Sequence, residues 1–280
     1  MLDKLNYIER ILGTPYYKDK KIILYNMDSL EALKKLNTGE PIIDLTVTSP
    51  PYNIGKEYEK IRPIDEYVCW SEEWMDLVYK NTKNNGSFWL NVGYIPIKNK
   101  GKAIPLAYLL WDKTNFFMIQ ELVWNYGAGV AAKKSLSPRN EKLLWFVKNQ
   151  KEYTFNLDDI RDPNVKYPNQ KKNGKIRVNP LGKNPSDVWQ IPKVTSGKNR
   201  SSKERVNHPA QTPIELFKRL ILASSNENEL VLDPFIGSGT TAVIAKSLDR
   251  YCIGFDLNKD YLEIAIKRIN EERIIQSSLF

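Results

Sequence analysis

Short apolar runs alternate along this chain with longer stretches of helical spacing, and that alternation predicts the architecture. KIILYNM (21–27) reads as a strand, and DSLEALKKLN as a helix with Asp28 or Ser29 at its N-cap. IIDLTVTS (42–49) is a nearly continuous apolar strand of the buried, parallel type. IDEYVCWSEEWMDLVYKNT places Tyr67, Trp70, Trp74, Leu77 and Val78 on one side of a helix and runs into KNNG, a C-cap signal. SFWLNV (87–92) predicts a strand, AIPLAYLLWDKT a helix, and FFMIQELVWNY and EKLLWFVKN (141–149) two more strands. Periodicity is lost from 150 to about 207 and returns with helix PIELFKRLILASS (213–225), strand ELVLDPF (229–235), helix TTAVIAKSL (240–248), strand RYCIGFDL (250–257) and helix KDYLEIAIKRINEERI. Strands alternating with helices give an α/β fold: a doubly wound, mostly parallel sheet, with residues 151–206 inserted between its halves, 1–150 and 207–280. Trp70, Trp74 and Trp111 fall at helical spacings and are expected in the core.

Composition narrows the class. The 280 residues are 41% hydrophobic, enough for a core, yet no apolar run is long enough to span a membrane. The first twenty residues lack the uninterrupted apolar segment of a secretory signal, so a cytoplasmic protein is expected. Two cysteines, Cys69 and Cys252, and the single His208 make neither a zinc cluster nor a structural disulfide an expectation. The charge excess of 42 − 33 = +9 is concentrated: Arg161 to Arg205 holds twelve Lys/Arg against three acids, also +9. A basic segment interleaved with Asn, Gly, Pro, Tyr167 and Trp189 fits contact with a polyanion, nucleic acid first; a solvated lysine-rich loop is the plainer alternative.

The most informative corner is VLDPFIGSGTTAVIAKSLDRYCIGFDLN. A buried strand ends at Asp233, a loop with Gly237 and Gly239 follows, and the chain enters a helix. Glycines there permit positive φ and close approach of a ligand, and the helix N-terminus favours a carboxylate or phosphate. Asp256 ends the next strand, 256 − 239 = 17 residues on, where an acid can accept bonds from ribose hydroxyls. The loop has no lysine, so it is not a phosphate-cradling P-loop. G-S-G-T-T-A leaves NAD open on the loop alone, but Asp233 suits a cationic amino group better than a pyrophosphate. S-adenosylmethionine offers an ammonium, a carboxylate and a ribose, and the corner provides for each.

A second corner, TSPPY (48–52), ends the strand IIDLTV with two stiff prolines between a serine and a tyrosine. TSPPY and DPFIGSGTT together, over nearly the whole chain, resemble the amino-methyltransferases of restriction-modification systems. The order, catalytic motif, basic segment, cofactor loop, is similar to the circularly permuted β group. NHPAQTPIELFKRLI (207–221), NPLGKNPSDVWQIP (179–192) and SPRNEKLLWFVK add to the resemblance, the last two especially to cytosine-N4 members. The resemblance implies a Rossmann-like sheet of seven strands with an inserted target-recognition region, S-adenosylmethionine as methyl donor, and double-stranded DNA as partner. It also implies a functional link to a cognate restriction endonuclease, with the protein a monomer or homodimer.

An aromatic amine is a poor nucleophile because its lone pair is delocalised. Acceptors gripping its N–H bonds localise that pair; Ser49 Oγ and the Pro50 carbonyl, fixed by Pro50-Pro51, suit this task, and Tyr52 can stack on the base. Positioning supplies much of the rate, and the base must leave the helix to reach such a pocket. Cytosine-C5 chemistry needs a cysteine at a strand-end corner, and neither cysteine sits at one. In the resembling family SPPY goes mostly with cytosine-N4 and DPPY mostly with adenine-N6, so cytosine-N4 is the expected target and adenine-N6 the alternative. A non-catalytic DNA-binding protein is the further rival, which both intact motifs oppose. On the cofactor side stand Thr212, Asp233, Pro234, Phe235, Gly237, Gly239, Thr240 and Asp256. Asp28 is equally a cofactor contact or a plain N-cap, and His208 is expected to be structural or at the cofactor edge. Lys56, Arg139, Lys183, Lys198 and Arg200 are the candidate DNA contacts.

Overall fold

The computed structural model describes residues 4–129, 131–195 and 204–271. In chain order the N-terminal half comprises α1 (Lys4–Leu12), β1 (Tyr17–Lys18), β2 (Ile22–Tyr25), α2 (Ser29–Leu36), β3 (Ile43–Thr48), α3 (Ile64–Asn81) and β4 (Thr82–Val92). A hairpin of β5 (Tyr94–Ile97) and β6 (Gly101–Pro105) leads to α4 (Ala107–Leu110), β7 (Phe117–Asn125) and β8 (Asn140–Val147). The basic region holds the two-residue strands β9 (Lys171–Lys172) and β10 (Lys175–Ile176), then β11 (Val188–Gln190). The chain closes with α5 (Ile214–Ser224), β12 (Leu230–Asp233), α6 (Thr240–Ser247), β13 (Tyr251–Phe255) and α7 (Lys259–Asn270).

One sheet orders these strands β1-β2-β13-β12-β3-β4-β8-β7-β11. From β2 to β4 the neighbours are parallel, β8 runs antiparallel between β4 and β7, and β11 lies parallel on β7. The seven strands implied by the family resemblance are therefore present, flanked by short β1 at one edge and β11 at the other. The latter belongs to the basic region: Trp189 is buried and Ile191 accepts from the Trp124 indole at 2.7 Å, so β11 is part of the sheet, with Trp189 and Ile191 in the core. Aliphatic and aromatic side chains cover both faces of the sheet. Trp74, fully buried, meets Phe88 and Phe235 on one face, while Trp89 stacks on Trp145 on the other.

Three local expectations change. KNNG does not cap α3; the chain turns directly into β4 at Thr82, whose hydroxyl returns to Val78 O at 2.7 Å, because pairing with β3 and β8 favours an extended chain. The helix expected over AIPLAYLLWDKT shrinks to α4, its first part being drawn into the β5–β6 hairpin. Trp111 is consequently half exposed rather than in the core. The N-terminal segment forms α1, whose Leu5, Ile8 and Leu12 are buried at helical spacing. Among the described residues no helix is long and apolar enough to cross a membrane.

Candidate active site

The crossover through α3 carries the chain from β3 to one side of the sheet, and that through α6 carries it from β12 to the other. Neighbouring strands β3 and β12 thus flank a topological switch point, where doubly wound sheets open a crevice at their carboxyl ends. TSPPY follows β3 and DPFIGSG follows β12, so the two motifs, about 185 residues apart, face one cleft of about 870 Å³. Asp233 joins them physically. One carboxylate oxygen accepts from Thr48 Oγ1 at 2.6 Å, the other from Thr241 Oγ1 at 2.6 Å, and Phe235 N donates at 3.1 Å. Burial pushes this carboxyl up to about 6, against the hydrogen bonds that lower it.

An acid raised in the folded state stabilises the fold while protonated. That contribution is full below its unfolded value near 4 and is lost as pH rises through about 6, a span worth about 3 kcal/mol. Unfolding titrations at pH 4.5 and 7.5 are therefore expected to show wild type gaining about 2 kcal/mol on Asp233→Asn at the acid end. An equal difference at both pH values would contradict the buried-acid assignment. Burial pushes His208 down to about 4, which works in the opposite sense in both proteins and cancels in the comparison.

The two loop glycines separate in role. Gly237 (φ +48) lines the cleft, and a Cβ there would meet His208 Nε2 at 3.0 Å. At Gly239 (φ +76) a Cβ would meet Ala265 Cβ at 2.6 Å, so this glycine allows α6 to begin against α7. Packing against α7 is therefore a reason for glycine at 239 apart from the cofactor contact expected of it. Asp256 lines the cleft beside Gly237, accepting from Gly237 N at 3.0 Å and Asn258 N at 2.8 Å, and burial raises its pKa. Two bonds leave acceptor positions on the carboxylate for ribose hydroxyls. Behind the loop, buried Arg268 donates to Ser238 O at 2.6 Å and to Thr240 Oγ1 at 3.0 Å, holding the loop's shape.

The remaining cofactor candidates gather on the same wall. Thr212 and Pro234 line it; Thr240 donates its hydroxyl to Thr212 O at 3.2 Å; Phe235 lies over Trp70 and Trp74 with its ring at the cleft. Asp28 does both things expected of it as alternatives, capping α2 by accepting from Glu31 N at 3.1 Å while bordering the cleft. His208 stacks with Tyr58 at 6.2 Å and meets Tyr261 edge-on at 4.4 Å, closing the rim over Gly237. An acid, a positive-φ glycine in the loop before α6 and aromatic walls fit S-adenosylmethionine's ribose, carboxylate and adenine.

The opposite wall is built around TSPPY. Pro51's carbonyl is taken by the Tyr67 hydroxyl at 2.7 Å, while Pro50 borders the cleft. Ser49 Oγ lies 2.8 Å from Tyr52 Oη. Tyr52 Oη donates to Glu141 Oε2 at 3.0 Å and accepts from Asn91 Nδ2 at 2.7 Å, and Lys193 Nζ closes on Glu141 Oε1 at 2.5 Å. Burial, then the adjacent Glu141 carboxylate, pushes the Tyr52 hydroxyl well above its usual value, so it remains a donor. Tyr52's hydroxyl is thereby anchored in a network beyond the base-stacking role expected for its ring. Asn91, Glu141 and Lys193 are absent from the sequence-derived candidates. For the first two the available signal was a polar residue within an otherwise apolar strand, Asn91 in SFWLNV and Glu141 before KLLWFV.

Of the proposed DNA contacts, Lys56 stands exposed at the cleft mouth, on a loop whose amides at Asn53, Ile54 and Lys56 all donate to Glu59. Arg139 lies against Gly129 and donates to Pro138 O at 3.2 Å, at the lip formed by Gly129 and Pro138. Lys183 pairs with Asp162 at 3.0 Å, which offsets its charge. Lys198 and Arg200 lie outside the described residues. Both cysteines lie away from the cleft, Cys69 exposed on α3 and Cys252 buried within β13.

Known proteins share this sequence pattern and fold. Residues 43–267 match the model of the N6_N4_Mtase family, described as DNA methylase. The chain is 58% identical over 269 residues to the Type II methyltransferase M.ScaI of Streptomyces caespitosus, covering 96% of this chain and 88% of that protein. Its fold is similar to that of the PvuII DNA methyltransferase (cytosine-N4-specific), with a TM-score of 0.73 at 22% identity over 94% of this chain and 92% of that one. The M1.HpyAVI–SAM complex is similar at a TM-score of 0.61 and 25% identity, covering 89% of this chain and 99% of that one. The chain belongs to the N6/N4 DNA methylase family, the amino-methyltransferases of restriction-modification type that use S-adenosylmethionine.

Proposed function

We propose that this enzyme methylates the exocyclic N4 amino group of a cytosine flipped out of duplex DNA, protecting the site from a restriction endonuclease. The observation that carries the reading is Ser49, a neutral hydroxyl rather than a carboxylate, which borders the cleft within hydrogen-bond distance of Tyr52 Oη and Asn91 Nδ2. Ser49 Oγ and the Pro50 carbonyl would hold the two amino hydrogens and localise the nitrogen lone pair. When bound, S-adenosylmethionine supplies an electrophilic methyl carried on a sulfonium. Asp256, Gly237 and the wall of Phe235 and His208 would orient it, leaving the half-cleft of Tyr94, Trp124, Tyr126 and Lys193 for the base. Lys56 and Arg139 at the rim are suited to phosphates, where they would fix register without reading sequence. Digestion of DNA methylated by the purified protein, followed by mass analysis of the nucleosides, is expected to yield N4-methylcytosine. Recovery of N6-methyladenine instead would overturn the cytosine assignment and establish the adenine alternative.

A further inference from the structure

Amine methylation leaves a proton to be placed, and Ser49 alone cannot keep it. We propose that Glu141 receives, through the Ser49 and Tyr52 hydroxyls, the proton that the target amino group gives up. The inference rests on the reading that Ser49 Oγ meets that amine.

The direction of the hydrogen bonds supports it. Glu141 Oε1 accepts from Lys193 Nζ, and of the two acceptors in reach of the single Tyr52 hydrogen, Glu141 Oε2 at 3.0 Å and Asn91 O at 3.3 Å, the carboxylate oxygen is the nearer. Tyr52 Oη therefore accepts from Ser49 Oγ at 2.8 Å, as it does from Asn91 Nδ2 at 2.7 Å. Asn91 also donates to Glu141 Oε2 at 2.9 Å, and its Nδ2 lies 3.3 Å from Ser49 Oγ. With its hydrogen turned inward, Ser49 Oγ presents a lone pair to the cleft. Every donor in the chain points towards Glu141, which is 8% exposed and ends the path.

The step balances. The amino nitrogen forms the new N–C bond with its lone pair as the C–S bond breaks, both electrons leaving with sulfur to give S-adenosylhomocysteine. An N–H proton passes to Ser49 Oγ, the serine proton to Tyr52 Oη, and the tyrosine proton to Glu141 Oε2. The sulfonium's positive charge and the carboxylate's negative charge disappear together, so no new charge is left in an enclosed site. Lys193, whose ammonium also lies 4.0 Å from the Tyr126 ring centre, pairs with Glu141 Oε1 and holds its carboxylate in place.

The test is single-turnover methyl transfer from labelled S-adenosylmethionine to long unmethylated phage DNA, with cofactor and DNA affinities titrated separately. Glu141→Gln keeps an acceptor oxygen for Tyr52 but takes up a proton far less readily. Its rate constant is expected to fall about 100-fold or more while both affinities stay within about threefold of wild type. Tyr52→Phe cuts the same path, and the double variant should lose no more than the worse single one, because the residues act as one unit. Lys193→Met removes the ion pair but leaves the carboxylate, and should lose at least about tenfold less than Glu141→Gln. Were Glu141→Gln to melt markedly earlier than wild type, Tyr52→Phe alone would carry the same expectation. A Glu141→Gln rate within about threefold of wild type, multiplicative losses in the double variant, or a Lys193→Met loss equal to that of Glu141→Gln would each overturn the proposal. Full activity in Ser49→Ala would instead overturn the reading on which it rests.

Discussion

Replacing Ser49 by alanine is expected to lower the single-turnover methylation rate by about 10³-fold while S-adenosylmethionine affinity stays near wild type. The substitution removes one of the two acceptors that would hold the amino hydrogens and breaks the hydrogen-bond path from the cleft to Glu141. Removing a single preorganised polar partner of a reacting group costs about 10²–10³ in rate, and losing the proton path places the effect at the upper end. The cofactor wall is untouched, since its bonds run through Asp256, Gly237 and Thr240. Asn91, Tyr52 and Glu141 still satisfy one another in the variant, so the fold should hold. Single-turnover rates combined with cofactor titration separate the two effects, and a variant retaining more than about a tenth of the wild-type rate would remove Ser49 from the assigned role.

Gly239→Ala is expected to produce the largest loss of stability, about 2–5 kcal/mol in denaturant unfolding. Two costs combine there. The backbone sits at φ +76, which an L-side chain adopts only with strain, and the new Cβ would lie 2.6 Å from Ala265 Cβ and 2.9 Å from its Cα. The obstacle is the body of α7, so relief requires separating two packed helices. Gly174→Ala supplies the control: its φ of +77 carries the same strain, but nothing lies within 4 Å of the added carbon. A loss at Gly239 no larger than that at Gly174 would show that the overlap is relieved cheaply. Because Arg268, also on α7, holds Ser238 and Thr240, the displaced helix should weaken S-adenosylmethionine binding as well.

Much of this protein was legible from its residues because its two motifs are local. Backbone conformation at TSPPY and DPFIGSG depends on prolines and glycines within a few positions, and the strands before them are marked by unbroken apolar runs buried on both faces. The alternation of strands and helices was readable for the same reason, as were the cap at Asp28 and the βα corner ending in Asp256. Errors fell where long-range pairing overrides local preference. KNNG carries a helix-ending signature, yet it lies in β4 because β3 and β8 take up its neighbours; the hairpin shortens the next helix and leaves Trp111 half exposed.

What the linear order could not disclose is which distant side chains share a wall. Glu141 enters from β8, Asn91 from β4 and Lys193 from the basic region after β11, and no spacing rule links them to Ser49. Their meeting depends on strand register, which the pairing of a whole sheet fixes and a one-residue slip would reverse. The split between Gly237 and Gly239 has the same origin: both have positive φ, but only helix packing decides that one faces the cleft and the other faces α7. Sequence alone determined the fold class and the two strand-end corners, because short-range sterics and burial pattern specify them, and the pairing of the corners carried the family resemblance that implied the class of chemistry. Tertiary structure decided the hydrogen-bond network around Ser49, because it is made by contacts between residues far apart in the chain.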